Sequence, residues 1–534
     1  MSAPPSREVN GTGVESPGRQ LFVALDAMEW SLVSRWAAEG KLPTFRRLMQ
    51  EGVHGELATT SAQLPDTVWA STYTGVNPAK FEKFFYVQYD AARLGLRHVV
   101  DDAIQRPAFW DHLSLAGVRV GVVDAPKFRT SRSLNGFQLT NWGAHATKTA
   151  RSSTPVSLLG EVQSRFGRHP VGDCDAVDNK IPALKSLRAR ILEGVRLRGR
   201  VFRSLMQERP WDVFVAAFSE PHCVGHHFWR FMDVAHPQHP ADDRHGLRDT
   251  IERVYRAIDD EIGQMISLAG APTRCLLVAA HGMGPIYHAS WNLSEILDLL
   301  GYGRSATGTM PGKAMSVRSA RTNPWRILKM IVPGAWQYRI KAALPTSLQD
   351  RLLFLWYSGG DQWAGRRAFS IPNNDSVGAI RLSVRGRDRG GMIQPGDEYR
   401  RVCQDIAAAL GELCDPVSGR PVVRRVTLTH DVFDGPFLQQ LPDITVLWEQ
   451  DFPWDALHSP RFGTLRIRRQ DSRTGSHTPH GFFLATGPGV PAGAELRGHS
   501  IYDIAPTVLS AAGVPLPPDL DGTPLPLAPV RVPA

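Results

Sequence analysis

The 534-residue chain has no run of about 18 apolar residues, so no membrane-spanning helix is expected. Its start lacks the basic-then-apolar pattern of a secretory leader. Cysteine is scarce. The five residues Cys174, Cys223, Cys275, Cys403 and Cys414 are scattered and form no CxxC pair. That argues against a disulfide framework and against a thiolate zinc site, and makes the cytoplasm the expected compartment. Acidic residues are absent from 301–349, where eight Lys and Arg are interleaved with Trp325, Trp336 and Tyr338. No nucleic-acid-binding motif accompanies that basic stretch. It suits an anionic substrate or peripheral contact with an anionic lipid surface, and the overall charge of +9 points the same way.

With 42% hydrophobic and 21% charged residues, the chain has an ordinary globular balance and material for a large core. Residues 1–18 are polar and rich in Pro, Gly and Ser, and read as a loose tail. Beyond them, short apolar runs alternate with helical patterns. QLFVAL (20–25), VRVGVVD (118–124), WDVFVAAF (211–218) and RCLLVAA (274–280) read as buried strands. Helical patterns cover 30–38, 42–50, 68–76, 222–232 and 247–268. The alternation predicts an α/β fold, doubly wound, with a mostly parallel central sheet, helices on both faces and an inserted cap domain. The predicted division is a core of 19–300 and 433–534 with a cap of 301–432. LPDITVLWE (441–449) is expected to rejoin the core sheet, and SIYDIAPTVLSAAGV to close the chain as a helix.

In such sheets functional residues lie beyond the carboxyl ends of the strands. Asp26 stands there, as do the segment Glu220–His226 and His281. His222 and His226 are four apart and share one helix face, a spacing that grips a transition metal. GSHTPHG (475–481) adds His477 and His480 in a Gly-flanked turn. Imidazole-rich sites favour zinc or iron over magnesium. A nucleophile is available in LPDTVWASTYTGVNPAK (64–80), where Thr67 opens a helix and meets its backbone N–H groups. Thr60 and Ser61 are the alternatives. Asn141 and His145, in TNWGAH, are weaker candidates for substrate contact.

Asp26, KLPTFRRLMQEG (41–52), the WxxxYTGxNP segment (69–78), the HxxxH helix, HGMG (281–284), GSHTPHGFFLATGPGV (475–490) and YDIAPTVLSAAGVPLPPDLDG (502–522) follow one another in order. This set resembles the alkaline phosphatase superfamily, in its type I phosphodiesterase and nucleotide pyrophosphatase branch. The resemblance covers about 20–300 and 436–523. It implies a hydrolase of phosphate esters that uses one or two divalent metal ions, zinc favoured and iron or manganese the alternatives. It also implies a Thr nucleophile that forms a covalent phospho-enzyme. Carried over position by position, Asp26 and His281 hold one metal beside Thr67, while His226 and His477 hold the other with His222. The implied substrate is an anionic phosphate ester, a nucleotide being one candidate.

The pattern departs from that family at two places. The usual DHG is Ala280-His281-Gly282, and His222 stands where Asp is usual. Two bridging carboxylates are therefore missing, and Glu220 is a candidate to replace one, as metal ligand or outer partner. The sulfatase branch is disfavoured because Cys414-Asp415-Pro416-Val417-Ser418 lacks the Arg of that nucleophile motif. The altered ligand set leaves open a phospho- or sulfo-transferase, or a weakly catalytic binding protein. The oligomeric state is not legible.

Overall fold

The computed structural model describes residues 18–527, apart from 93, 144–148, 173, 175, 176, 178, 288–291, 304–362, 364, 372–376 and 468–472. The apolar run opens it as strand β1, Arg19–Leu25, in the middle of a ten-stranded sheet. Side chains alternate across a strand, and here they feed two separate cores. Leu21, Val23 and Leu25 enter one buried cluster, while Phe22 and Ala24 enter another. A strand buried on both faces has no use for polar alternation, which explains its unbroken hydrophobicity. Each large apolar side chain placed this way contributes about 1.5–3 kcal/mol.

Helices α1 (Trp30–Ala38) and α2 (Pro43–Glu51) follow β1. Strand β2 (Val53–Ala58) and helix α3 (Val68–Thr74) come next, then α4 (Phe109–Leu115), β3 (Val120–Val123), β4 (Gly136–Thr140) and β5 (Ser152–Thr154). Helices α5 (Ser157–Phe166) and α6 (Ile181–Glu208) lead to β6 (Val213–Phe218), α7 (Glu220–Met232), α8 (Thr250–Ala269) and β7 (Thr273–Ala279). Strands β7, β1, β6, β3 and β4 are parallel neighbours, with Val23 opposite Ala216 on one side and Leu277 on the other. The cluster on the Leu21 face takes side chains from α1, α2, α5, α6, α7 and α8. The Phe22 face takes them from α3, α4 and the last helix. The doubly wound α/β expectation therefore holds.

Two expectations need correcting. HGMG runs into a short strand, β8 (Gly282–Pro285), and GSHT is itself a strand, β13 (Gly475–Thr478), rather than a turn. They pair antiparallel with Met283 opposite His477. The glycines allow the close approach: a Cβ on Gly282 would lie 2.2 Å from Oε2 of Glu29, and one on Gly475 would lie 2.4 Å from the carbonyl oxygen of Gly225. The ribbon leads on into β14 (Gly481–Thr486), which lies antiparallel between β7 and β2.

The second correction concerns LPDITVLWE. Strand β12 (Ile444–Trp448) does not rejoin the central sheet. It lies in a separate antiparallel sheet with β9 (Ala368–Ser370), β10 (Val377–Leu382) and β11 (Val423–Leu428), in the order β9-β10-β12-β11. One face of that sheet meets α9 (Leu293–Leu299) and α10 (Asp397–Gly411) in a cluster that holds Leu293, Ile406, Ile444, Val446 and Leu457. That sheet and its cluster thus draw on elements before 301 and after 432. Its other face rests on the core: Val377 and Leu447 bury Ala62, and Ala379 packs in the cluster that holds Leu64. The basic segment around Trp325 and Trp336 lies outside the described residues, as does most of the N-terminal tail. The final helix, α11 (Ile504–Ala511), forms as expected. No described helix is long and apolar enough to cross a membrane.

Candidate active site

Because β1, β6 and β7 run parallel, the residues beyond them emerge on one edge. Asp26 follows β1, its N–H bonded to the carbonyl of Phe218 at 2.9 Å. Helix α7 starts directly after β6, with Pro221 in its first turn, and carries His222 and His226 on one face. Their Nε2 atoms are 2.9 Å apart. His226 Nδ1 lies 2.7 Å from the carbonyl oxygen of Gly475, so that nitrogen carries the proton and Nε2 keeps its lone pair. The β8–β13 ribbon brings in His477, whose ring lies 4.8 Å from His222 and 5.1 Å from His226. His281 stands edge-on to His477 at 4.5 Å. Asp26 places Oδ2 3.3 Å from His222 Nδ1 and Oδ1 3.9 Å from His281 Nε2. The indole N–H of Trp69 donates to the same Oδ1 at 2.7 Å.

Five expected ligands therefore converge. Their donor atoms form two overlapping triplets, His222–His226–His477 and Asp26–His222–His281, with the atoms of each within 4.8 Å of one another. Burial, reinforced by the neighbouring His222, pushes the His226 imidazolium well below its usual range. Burial and then His477 depress His281 to about 3 against the opposing pull of Asp26. Both rings are neutral near pH 7, the state a metal ligand needs. Imidazole nitrogens that converge on one another in a buried pocket fit a divalent transition ion.

Glu220 lies elsewhere. Its Oε1 accepts from Arg198 Nε at 3.0 Å and faces His169 Nε2 at 2.9 Å. Arg198, fully buried, also donates to Asp124 at 2.6 Å and to the carbonyl of Gly143 at 2.6 Å. Burial works to raise the Glu220 carboxyl, but Arg198 and His169 outweigh it and hold it at about 2. Glu220 belongs to neither donor triplet and instead ties the first turn of α7 to α6. This network escaped the reading of the sequence. Its signal was Arg198 itself, which occupies the apolar stripe Leu184, Leu187, Ile191, Val195, Phe202 of α6.

His480 is exposed and sits 4.0 Å from Glu56, away from the cluster. We expect His480→Ala to leave metal content and ester turnover at wild-type levels. Elemental mass spectrometry checks this, and loss of an ion in the variant would return His480 to the ligand set. Asn141 is buried with φ 60° and donates to the carbonyl of Thr149 at 3.2 Å, so it holds its own loop together. His145 lies outside the described residues.

Thr67 precedes α3 as expected, but its hydroxyl does not meet the helix's backbone N–H groups, because it is turned back toward the preceding turn. Its hydroxyl lies 2.6 Å from the carbonyl oxygen of Leu64 and 2.9 Å from Thr60 Oγ1. The adjoining turn Thr60–Ala62 packs against β13, the strand of His477. There Ser61 is buried, and its hydroxyl has no hydrogen-bond partner among the described residues. Lys127, past β3 with φ 56°, lies close enough to His281 for its charge to depress that imidazole further. Its Nζ is 3.4 Å from Asp66.

A mostly parallel sheet thus carries a carboxylate just beyond β1, and four imidazoles gather beside it from α7, from a residue between β7 and β8, and from β13. Residues 20–452 match the family model described as type I phosphodiesterase / nucleotide pyrophosphatase, and the chain belongs to that family. It is thereby a protein of the phosphoester hydrolase class. Among solved structures it is similar to wild-type alkaline phosphatase PafA, with a TM-score of 0.51, 15% identity, and coverage of 95% of this chain and 98% of that one. A phosphonoacetate hydrolase from Sinorhizobium meliloti 1021, bound to phosphonoformate, gives 0.48 at 13% identity over 92% and 94%. Human ectonucleotide pyrophosphatase / phosphodiesterase 5 gives 0.46 at 13% over 96% and 97%. No curated protein matches the chain.

Proposed function

We propose that this protein is a metal-dependent hydrolase of phosphate esters, with phosphodiesters or nucleotide pyrophosphates as substrates and Thr67 as nucleophile. The observation that carries the reading is the convergence of His222, His226 and His477 beside Asp26 and His281 at the carboxyl edge of the sheet. Imidazole donors favour zinc, with iron and manganese the alternatives. A bound divalent ion would supply Lewis-acid polarisation of the phosphoryl group and ease deprotonation of the hydroxyl. Thr67 Oγ1 gives up its proton and attacks phosphorus, the bond to the leaving oxygen breaks, and that oxygen takes up a proton, departing as an alcohol from a diester or as a phosphate from a pyrophosphate. Water then hydrolyses the phospho-threonine. Lys127 adds positive charge where the anionic ester meets the site. The cap sheet, resting on Ala62 and Leu64, supports a role for the insertion in choosing the leaving group. No disulfide joins any of the five cysteines, which supports a reducing compartment such as the cytoplasm.

A second nucleophile is favoured by one observation, the buried hydroxyl of Ser61, which has no hydrogen-bond partner among the described residues. Acid quenching with a labelled chromogenic diester separates the two. Thr67→Ala is expected to lose the covalent phosphate and about 10³-fold or more of turnover while keeping its metal. Full turnover in Thr67→Ala with loss in Ser61→Ala moves the nucleophile to Ser61. Full turnover in both leaves Thr60 as the remaining candidate on this turn. A protein that takes up metal yet turns over no phosphate ester would sink the hydrolase reading and favour group transfer or binding.

A further inference from the structure

The two nitrogens of His222 face opposite demands. Nε2 points at the lone pair of His226 Nε2 from 2.9 Å, because the proton of His226 sits on Nδ1, against Gly475. Nδ1 lies 3.3 Å from a carboxylate oxygen of Asp26. A ring that turns Nδ1–H toward Asp26 leaves its Nε2 lone pair facing that of His226. A cation on the Nε2 side answers both at once: the Nε2 lone pair binds it, and Nδ1–H is left to donate to Asp26. This is the carboxylate–histidine–metal arrangement, in which the acid orients the ligand without touching the ion.

Asp26 is built for that part. Its Oδ1 already accepts the Trp69 indole N–H at 2.7 Å, and its Oδ2 faces His222. A second ion between Asp26 and His281 would have to share Oδ1 with that indole. It would have no carboxylate from position 280, where Ala280 is fully buried. The other triplet needs no such compromise, since its three imidazole donors converge on one another. Three neutral imidazoles leave a tetrahedral ion one open position, the pattern of a catalytic site.

The geometry points to a single divalent ion held by His222, His226 and His477, with Asp26 as the outer carboxylate that positions His222 and with His281 outside the ion's reach. The inference rests on the metal-site reading proposed above and narrows it from two ions to one.

The test uses the full chain, stripped with chelator and dialysed against zinc, with ions per chain counted by elemental mass spectrometry. Cobalt loading gives a second readout, the intense visible absorption of a four-coordinate ion. One ion per chain is expected in the wild type, in Asp26→Asn and in His281→Ala, and none in His226→Ala. Asp26→Asn should bind its ion about 10–100-fold more weakly, as outer-partner changes do. Two ions in the wild type, falling to one in Asp26→Asn or His281→Ala, would overturn the inference. If Asp26→Asn fails to fold, His281→Ala alone decides the count. Two ions with ester turnover would sink the single-ion site and leave the hydrolase standing. One ion without turnover would do the reverse.

Discussion

In His226→Ala, ester hydrolysis should fall by about 10⁴-fold or more, together with loss of the bound metal. His226 is fully buried on α7, and its Nδ1 proton is fixed by the carbonyl of Gly475. That hydrogen bond sets the tautomer and aims Nε2 into the cluster. Alanine removes the donor atom and leaves the Gly475 carbonyl unpaired. His226→Gln keeps much of the volume and can still donate to that carbonyl, so it separates folding from metal capture. Metal content, melting temperature and kcat/KM measured on both variants check the result. A stoichiometric ion in either would remove His226 from the ligand set.

The second large effect is on stability. Arg198→Met should destabilise the protein by about 3–5 kcal/mol, because it strands two buried carboxylates. Asp124 and Glu220 both pair with the guanidinium, which also satisfies the carbonyl of Gly143. Urea unfolding of wild type and variant measures the difference. The pH dependence follows from the Glu220 carboxyl, held at about 2 against an ordinary 4.5. A depressed acid contributes stability that is present above 4.5 and is lost as the pH falls from 4.5 toward 2. The wild type should therefore weaken through that window, and Arg198→Met should weaken less, since its Glu220 no longer gains from ionising. Equal acid slopes in the two proteins would show that Arg198 does not set the Glu220 ionisation.

What could be read from the sequence was local. The strands of the core sheet announce themselves because burial on both faces leaves unbroken apolar runs such as Gln20–Leu25. His222 and His226 were legible because helical spacing alone puts them on one face. The partners of Glu220 were not, since His169 and Arg198 reach it only through tertiary packing, and Asp124 joins the network only through Arg198. The pattern of Ile444–Trp448 states strand but not which sheet receives it, and so the return of the chain to the core was misplaced. His477 and His480 looked equivalent in GSHTPHG. Pairing of β13 with β8 separates them, one in the cluster and one in solvent. Ser61 was legible only as an alternative to Thr67; what the fold adds is that its hydroxyl is buried with no hydrogen-bond partner among the described residues.

The contact of Val377 and Leu447 with Ala62 has a consequence for anyone who would pare the molecule down. The turn that carries Thr60 and Ser61 owes part of its fixed shape to side chains from the insertion, and Leu64 is roofed by the same sheet through Ala379. Excising the insertion and joining its ends would not yield a smaller catalyst with a wider mouth. It would expose Ala62 and Leu64 to water and free the backbone between the histidine cluster and α3, so the trimmed chain would lose chemistry along with selectivity. Any diversification of this scaffold must keep the inner face of the four-stranded sheet and vary its rim.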